Sequence, residues 1–432
     1  MQATAIKEQR RQSLRALLQL ARFRSDEIFG LLRNEAIYER PIPERHRLIF
    51  YLGHLETFDW NLICAGLFGM KSLNSEFDRL FAFGIDPTNG NLPGDAAADW
   101  PAESEIHKYN ERVRAAVDSC LERSSDELRF NVAIEHRLMH AETLAYMLHG
   151  LPYALKRAAG AATGAPARPA IPSQVRVLAG IATLGQDRDA GEFGWDNEFE
   201  STIESVPAFE IDAYKVTNSQ YLEFVQAGGY DDRSFWSDEA WTWITSSGIR
   251  HPKFWKPVDG RWMSRTMFAD LPFQADWPVY VSHAEAEAYC RWKGTRLPTE
   301  AQYHRAAFGN PDGSERRYPW GNSPPQNHLG NFNFQRWDST PVNAYPAGHS
   351  AFGVADLVGN GWEWTSTVFA PFPGFEPFSF YPGYSADFFD GKHYVMKGGS
   401  PRTSSLLLRR SFRNWFQPRY PHVYASFRCV QS

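Results

Sequence analysis

The 432-residue chain is poor in cysteine. It has four, Cys64, Cys120, Cys290 and Cys429, far apart and none in a CxxC pair. That spacing suggests neither a zinc ribbon nor a disulfide framework, and a reducing, cytoplasmic setting is expected. No run of about 18 uncharged apolar residues is present, so no membrane-spanning helix is expected. An excess of one charge is also missing. Lys and Arg number 45 against 50 Asp and Glu, for a net charge of -5, and the basic residues are scattered. Such a balance gives no nucleic-acid footprint. The N-terminal Met1–Lys7 runs into a charged amphipathic segment rather than the apolar core of a signal peptide. No internal repeat is visible.

Aromatic residues are plentiful: 15 Trp, 18 Tyr and 31 Phe. Most of the Trp lie after residue 190, among Gly and Pro, which suits a loop-rich fold held by aromatic packing. The length points to two domains. Residues 1–157 read as four helices, at about 5–33, 44–68, 103–123 and 126–149, with a loop over about 84–101. Four long helices suggest a bundle, whose core can hold a metal between facing helices. Residues 158–174, rich in Ala, Gly and Pro, read as a linker. From 175 to 432, short β-like runs (Val175–Leu178, Ala208–Ile211) alternate with turns, and helices are expected around Asn218–Ala227 and His283–Lys293.

The most informative motif is His136-Arg137-Leu138-Met139-His140-Ala141-Glu142. Its histidines stand one helical turn apart on one face and can grip one transition metal, with Glu142 as a supporting partner. Ordinary helix residues share this spacing, and two ligands are too few, so a third is needed. His54, on the second apolar helix, is the candidate. His46, eight residues earlier and near in phase, sits beside Pro43 at the expected helix start and is read as facing solvent.

The C-terminal half resembles the formylglycine-generating-enzyme (sulfatase-modifying factor) family. The resemblance rests on an ordered series: Phe193-Gly194-Trp195-Asp196-Asn197-Glu198, Arg296-Leu297-Pro298-Thr299-Glu300-Ala301, Tyr318-Pro319-Trp320-Gly321, Gly359-Asn360-Gly361-Trp362-Glu363-Trp364-Thr365, Gly398-Gly399-Ser400 and Ser426-Phe427-Arg428-Cys429. It implies a C-type-lectin-like core. Trp362 and Trp364 around Glu363 suit a buried turn, and Arg296 an ion pair. That family's catalyst binds copper through a cysteine pair near the Gly-Gly-Ser segment. Lys397–Ser405 holds no cysteine, so formylglycine formation is put aside.

The N-terminal half resembles a DinB-type bundle with its HxxxHxE pattern. The whole chain is therefore similar to the ergothioneine and selenoneine synthases, and the implied fold class is α+β: a DinB-like four-helix bundle followed by a lectin-type domain. Those enzymes are non-haem iron oxygenases acting on hercynine. The resemblance implies Fe(II) held by His54, His136 and His140, with O2, hercynine and a chalcogen donor as small-molecule partners; it implies no oligomeric state. It places Asn414, Trp415 and Phe416 at the substrate, Asn414 for a carboxylate and the aromatic faces for a quaternary ammonium, with Arg413 structural. One of Tyr381, Tyr384 and Tyr394 would serve as acid and hydrogen donor, the others as packing tyrosines. Several ergothioneine synthases carry an acidic residue where this chain has Phe416, and Arg79 is the only arginine between His54 and Arg112. A neutral selenosugar is therefore the expected donor, ahead of cysteine or γ-glutamylcysteine. A reading of another class, a non-catalytic metal-containing ligand-binding protein, would require a closed coordination sphere.

Overall fold

Apolar residues at helical spacing give the N-terminal part four long helices and one short one. The computed structural model describes residues 2–82, 94–158 and 170–431. Two compact units emerge, residues 1–161 and 162–432. Most of the expected linker and the first half of the expected 84–101 loop lie outside the described residues. Among the described residues no helix is long and apolar enough to cross a membrane.

The first unit contains α1 (Gln2–Phe29), α2 (Leu48–Asp59), α3 (Ser75–Leu80), α4 (Glu103–Arg123) and α5 (Glu127–Gly150). Asp126 caps α5 by accepting the Arg129 N–H at 3.0 Å, satisfying one of the orphan donors of a helix start. From Phe130 onward α5 is buried almost all round, so the helix runs inside the unit. The second helix begins at Leu48, later than its sequence pattern suggests. It then widens without a break into a π-helical turn, Trp60–Ala65. Such turns are rare and concentrate near functional sites.

An ionic cluster ties the four long helices together. Arg137 of α5 donates to Glu56 and Asp59 of α2, and to Ser25 of α1. Arg114 of α4 donates to Glu56 and to both oxygens of Asp26. Arg22 of α1 reaches Asp118 of α4 at 2.7 Å. Buried carboxylates need such partners to stay charged. Against the cost of burial, Arg137 and Arg114 hold the Glu56 carboxyl below its usual value, whereas burial raises Asp59 despite Arg137.

The second unit is built on short strands. Its strands are β1 (Gln174–Val177), β2 (Gly180–Leu184), β3 (Thr202–Val206), β4 (Phe209–Asp212), β5 (Trp255–Val258), β6 (Arg261–Arg265), β7 (Asp270–Pro272), β8 (Thr295–Arg296), β9 (Trp362–Val368), β10 (Tyr394–Lys397), β11 (Asn414–Phe416), β12 (Ala425–Ser426) and β13 (Val430–Gln431). They form sheets in the orders β1-β4-β13-β8 and β11-β10-β9-β12, a pair β2-β3 and a trio β5-β6-β7. Helices α6 (Asn218–Gln226), α7 (Asp238–Ser246), α8 (His283–Lys293) and α9 (Glu300–Phe308) lie between them.

Two expectations need correcting. Trp362, Glu363 and Trp364 form the start of strand β9 rather than a turn. The turn is Gly359-Asn360-Gly361 just before it, all at positive φ. Buried Glu363 is held by both arms of Arg428, at 2.6 and 2.8 Å. Among the described residues Arg296 makes no ion pair; it donates to the Gln302 side-chain oxygen at 2.8 Å and is exposed. The cysteines, distant in sequence, meet in space as free thiols: Cys64 with Cys120 at 3.8 Å, and Cys290 with Cys429 at 3.6 Å.

Candidate metal centre

Helices α2 and α5 aim three imidazoles at one point. His54, His136 and His140 are all buried, and their ligand atoms lie within 4.8 Å of one another. His136 and His140 face each other with Nε2 atoms 3.1 Å apart. His46 lies outside this cluster, half-buried before α2 and stacked on Phe50 at 4.2 Å.

Aromatic walls fix the rings. Phe58 stacks on His136 with centroids 3.5 Å apart and 12° between planes. Phe50 stacks on His54 at 4.9 Å and 19°. His54 Nδ1 meets the carbonyl oxygen of Phe81 at 2.6 Å, so Nδ1 carries the proton and Nε2 keeps the lone pair.

Burial dominates the electrostatics. It lowers His54 to about 4, despite the bond to Phe81. Burial first, then the charge of neighbouring histidines and arginines, holds His136 and His140 well below the usual histidine value. All three are therefore neutral at pH 7, the form that ligates a metal.

The residues fit a metal. His54 Nε2 is buried without a hydrogen-bond partner. The His136 and His140 Nε2 atoms stand close enough to share one ion with His54 Nε2. Three imidazoles leave positions open for other ligands, whereas structural sites commonly use four protein ligands. Glu142, two residues past His140, is buried on the same helix.

The other expected site residues lie in the second unit. Asn414, Trp415 and Phe416 form β11, where successive side chains alternate between faces. Trp415 stacks on Phe369 at 4.2 Å and 7°, with Tyr384 and Phe388 at 5.4 and 5.6 Å. Phe416, on the other face, stacks on Tyr420 at 5.2 Å. Asn414 accepts the Trp415 N–H at 2.9 Å. Tyr384 lies beside Trp415 and stacks on Trp195 at 3.9 Å. Tyr381 is 5.5 Å from Tyr384, its phenol pushed up to about 12 by burial. Tyr394, also raised by burial, stacks on His283 at 3.8 Å. Arg413 is buried against Glu300 at 3.1 Å and over Phe372.

Sequence reading missed the groups that support the triad. The Phe81 carbonyl belongs to the backbone and has no side-chain signal. Phe58 and Glu56 stood close to His54 in the sequence, four and two residues on, and that spacing was the available clue.

Known proteins share both parts of the chain. Residues 160–432 match the sulfatase-modifying factor enzyme 1-like domain. A hercynine oxygenase of Mycobacterium tuberculosis is 38% identical over 333 residues, which are 75% of this chain and 77% of that one. The hercynine oxygenase of Mycolicibacterium thermoresistibile is 37% identical over 342 residues, 75% and 74% of the two chains. Ergothioneine biosynthesis protein 1 of Neurospora crassa is 27% identical over 93% of this chain and 55% of its own.

Proposed function

The chain belongs to the family of the hercynine oxygenases and ergothioneine biosynthesis proteins, and from that membership we propose that it is an O2-dependent, non-haem iron enzyme that joins a chalcogen to the imidazole of hercynine. The observation that carries this reading is the convergence of three neutral, buried imidazoles on one point. Imidazole suits several transition metals, and the family selects Fe(II) among them. Iron, when bound, would supply the one-electron chemistry with O2 that closed-shell side chains cannot.

The protein's own part is to hold His54, His136 and His140 neutral and oriented, and to exclude water with Phe50 and Phe58. Asn414, Trp415 and Phe416 are proposed as substrate contacts, and one of Tyr381, Tyr384 and Tyr394 as proton donor. Tyr384 has the strongest case, because it sits against Trp415. The bundle is proposed to be of the DinB type.

The donor is proposed to be a selenosugar. Phe416 presents an aromatic, uncharged wall stacked on Tyr420. Such a wall offers no carboxylate to pair with the ammonium of an amino-acid donor. A second reading, a cysteine or γ-glutamylcysteine donor leading to a sulfoxide conjugate, is favoured by the names of the relatives.

The test is anaerobic reconstitution with Fe(II), then addition of O2 and hercynine with selenosugar, cysteine and γ-glutamylcysteine in competition. Hercynine-dependent O2 uptake and a selenium-containing product by mass spectrometry are expected. A sulfur conjugate as the main product would replace the first donor by the second. A protein that binds Fe(II) but consumes no O2 with hercynine would overturn the oxygenase reading.

A further inference from the structure

Gly53 precedes His54 in the middle of α2, where glycine costs helix stability of about 1 kcal/mol relative to alanine. Its conformation is ordinary helix, so backbone freedom does not explain it. Space does. A Cβ at position 53 would lie 2.6 Å from three ring atoms of Phe81. Phe81 is fully buried, with Phe77 at 5.4 Å, Trp100 at 6.1 Å and Phe50 at 6.3 Å around its ring. A ring so enclosed cannot swing away, and close-packed interiors pass such a displacement on to the backbone.

That backbone carries the Phe81 carbonyl, which accepts from His54 Nδ1. We propose that Gly53 is a positioning residue for the metal: its missing side chain lets Phe81 seat against α2, and the seated Phe81 presents the carbonyl that fixes the tautomer and direction of His54. This rests on the three-histidine reading above. The role belongs to one residue with no side chain and one with an ordinary apolar one. Partners that orient a ligating histidine typically change metal affinity by about 10–100-fold when lost.

The test is Fe(II) titration under anaerobic conditions of the full-length wild type, Gly53→Ala, Phe81→Leu and the double variant. Circular dichroism and thermal unfolding of the metal-free proteins run in parallel. Gly53→Ala is expected to bind Fe(II) at least tenfold more weakly while remaining folded without metal. Phe81→Leu alone keeps the carbonyl but loosens its seat, and is expected to weaken Fe(II) binding by less than Gly53→Ala does. Adding Phe81→Leu to Gly53→Ala makes room for the new methyl and should restore most of the lost affinity.

A purely structural role would lower the stability of the metal-free protein without this reciprocal rescue of affinity. Unchanged binding in Gly53→Ala overturns the proposal. So does a folded double variant as weak as Gly53→Ala, or a double variant that does not recover folding. If Gly53→Ala does not fold, the double variant decides. Failure of the wild type to bind Fe(II) is a different result, because it removes the three-histidine reading itself.

Discussion

Arg137 and Glu56 meet through two parallel bonds, 3.0 and 2.8 Å, with both side chains buried. Arg137 comes directly after His136, and Glu56 stands two residues past His54. The pair thus joins the two histidine-bearing helices beside the triad. Charge from Arg137 and Arg114 holds the Glu56 carboxyl below its usual value against a strong desolvation penalty.

Arg137→Met is expected to destabilise the first unit by about 3–5 kcal/mol, because Glu56 and Asp59 lose their main buried counter-charge. Chemical denaturation read by far-ultraviolet circular dichroism measures it. Adding Glu56→Gln should recover part of the loss. Equal stability of wild type and Arg137→Met would show that the cluster is not held as described.

Single Ala replacements of His54, His136 and His140 should each lose most bound iron while the protein stays folded. Iron per chain after reconstitution, with circular dichroism as control, checks this. Full iron content in His54→Ala would remove it from the ligand set and bring His46 forward.

Trp415→Ala is expected to weaken hercynine binding by about 1–2 kcal/mol through loss of a cation–π contact. Calorimetry with hercynine and with plain histidine is the measurement, and histidine should bind worse in the wild type. Phe369 stacks on the Trp415 ring, and Tyr384 and Phe388 lie 5.4 and 5.6 Å from it, so a ligand would share the ring with them. Unchanged affinity would mean that the ring serves packing alone.

Phe416→Asp should shift preference toward γ-glutamylcysteine and lower selenosugar turnover, since a carboxylate without a cationic partner pays for its desolvation. Competition assays with both donors read the shift. No change in donor ratio would dissociate Phe416 from donor choice.

His283, in the second unit, gives a pH prediction. Burial lowers it to about 3, against the bond between its Nε2 and the Thr365 carbonyl. Above its unfolded value, about 6.5, it is neutral in both states and costs nothing. Below that value the unfolded chain takes up a proton that the folded one refuses. Stability should then fall by about 1.4 kcal/mol per pH unit between about 6.5 and 3. Denaturation monitored by tryptophan fluorescence at pH 7 and 4.5 should show a smaller acid loss for His283→Gln, by about 2–3 kcal/mol. An identical acid loss would refute it.

Periodicity was the clearest signal in the sequence. The spacing of His136 and His140 needs only a helix, and α5 supplies it. The ordered Trp- and Gly-containing series spans the second unit, whose strands are too short to reveal themselves by alternation. Two nine-residue helices were passed over although their caps were visible: Ser237 before Asp238-Glu239, and Thr299 with Gln302. The segment around Glu363 read as a turn because its glycines precede two tryptophans, and only strand pairing shows where the turn stops. The features that stayed hidden had no side-chain signature: the Phe81 carbonyl, the empty place at Gly53, and the widening of α2 after Asp59. The meeting of Cys64 with Cys120 depends on helix packing, which no local pattern encodes.

The cluster of Arg22, Arg114, Arg137, Asp26, Glu56, Asp59 and Asp118 has a consequence for the order of events in the life of the chain. It links all four long helices without using any of the three histidines. The helices are therefore held together without an ion, and loading of the proposed site should be separable from folding. A chelator should empty the protein without unravelling it, and the same molecule should be ready to be filled again.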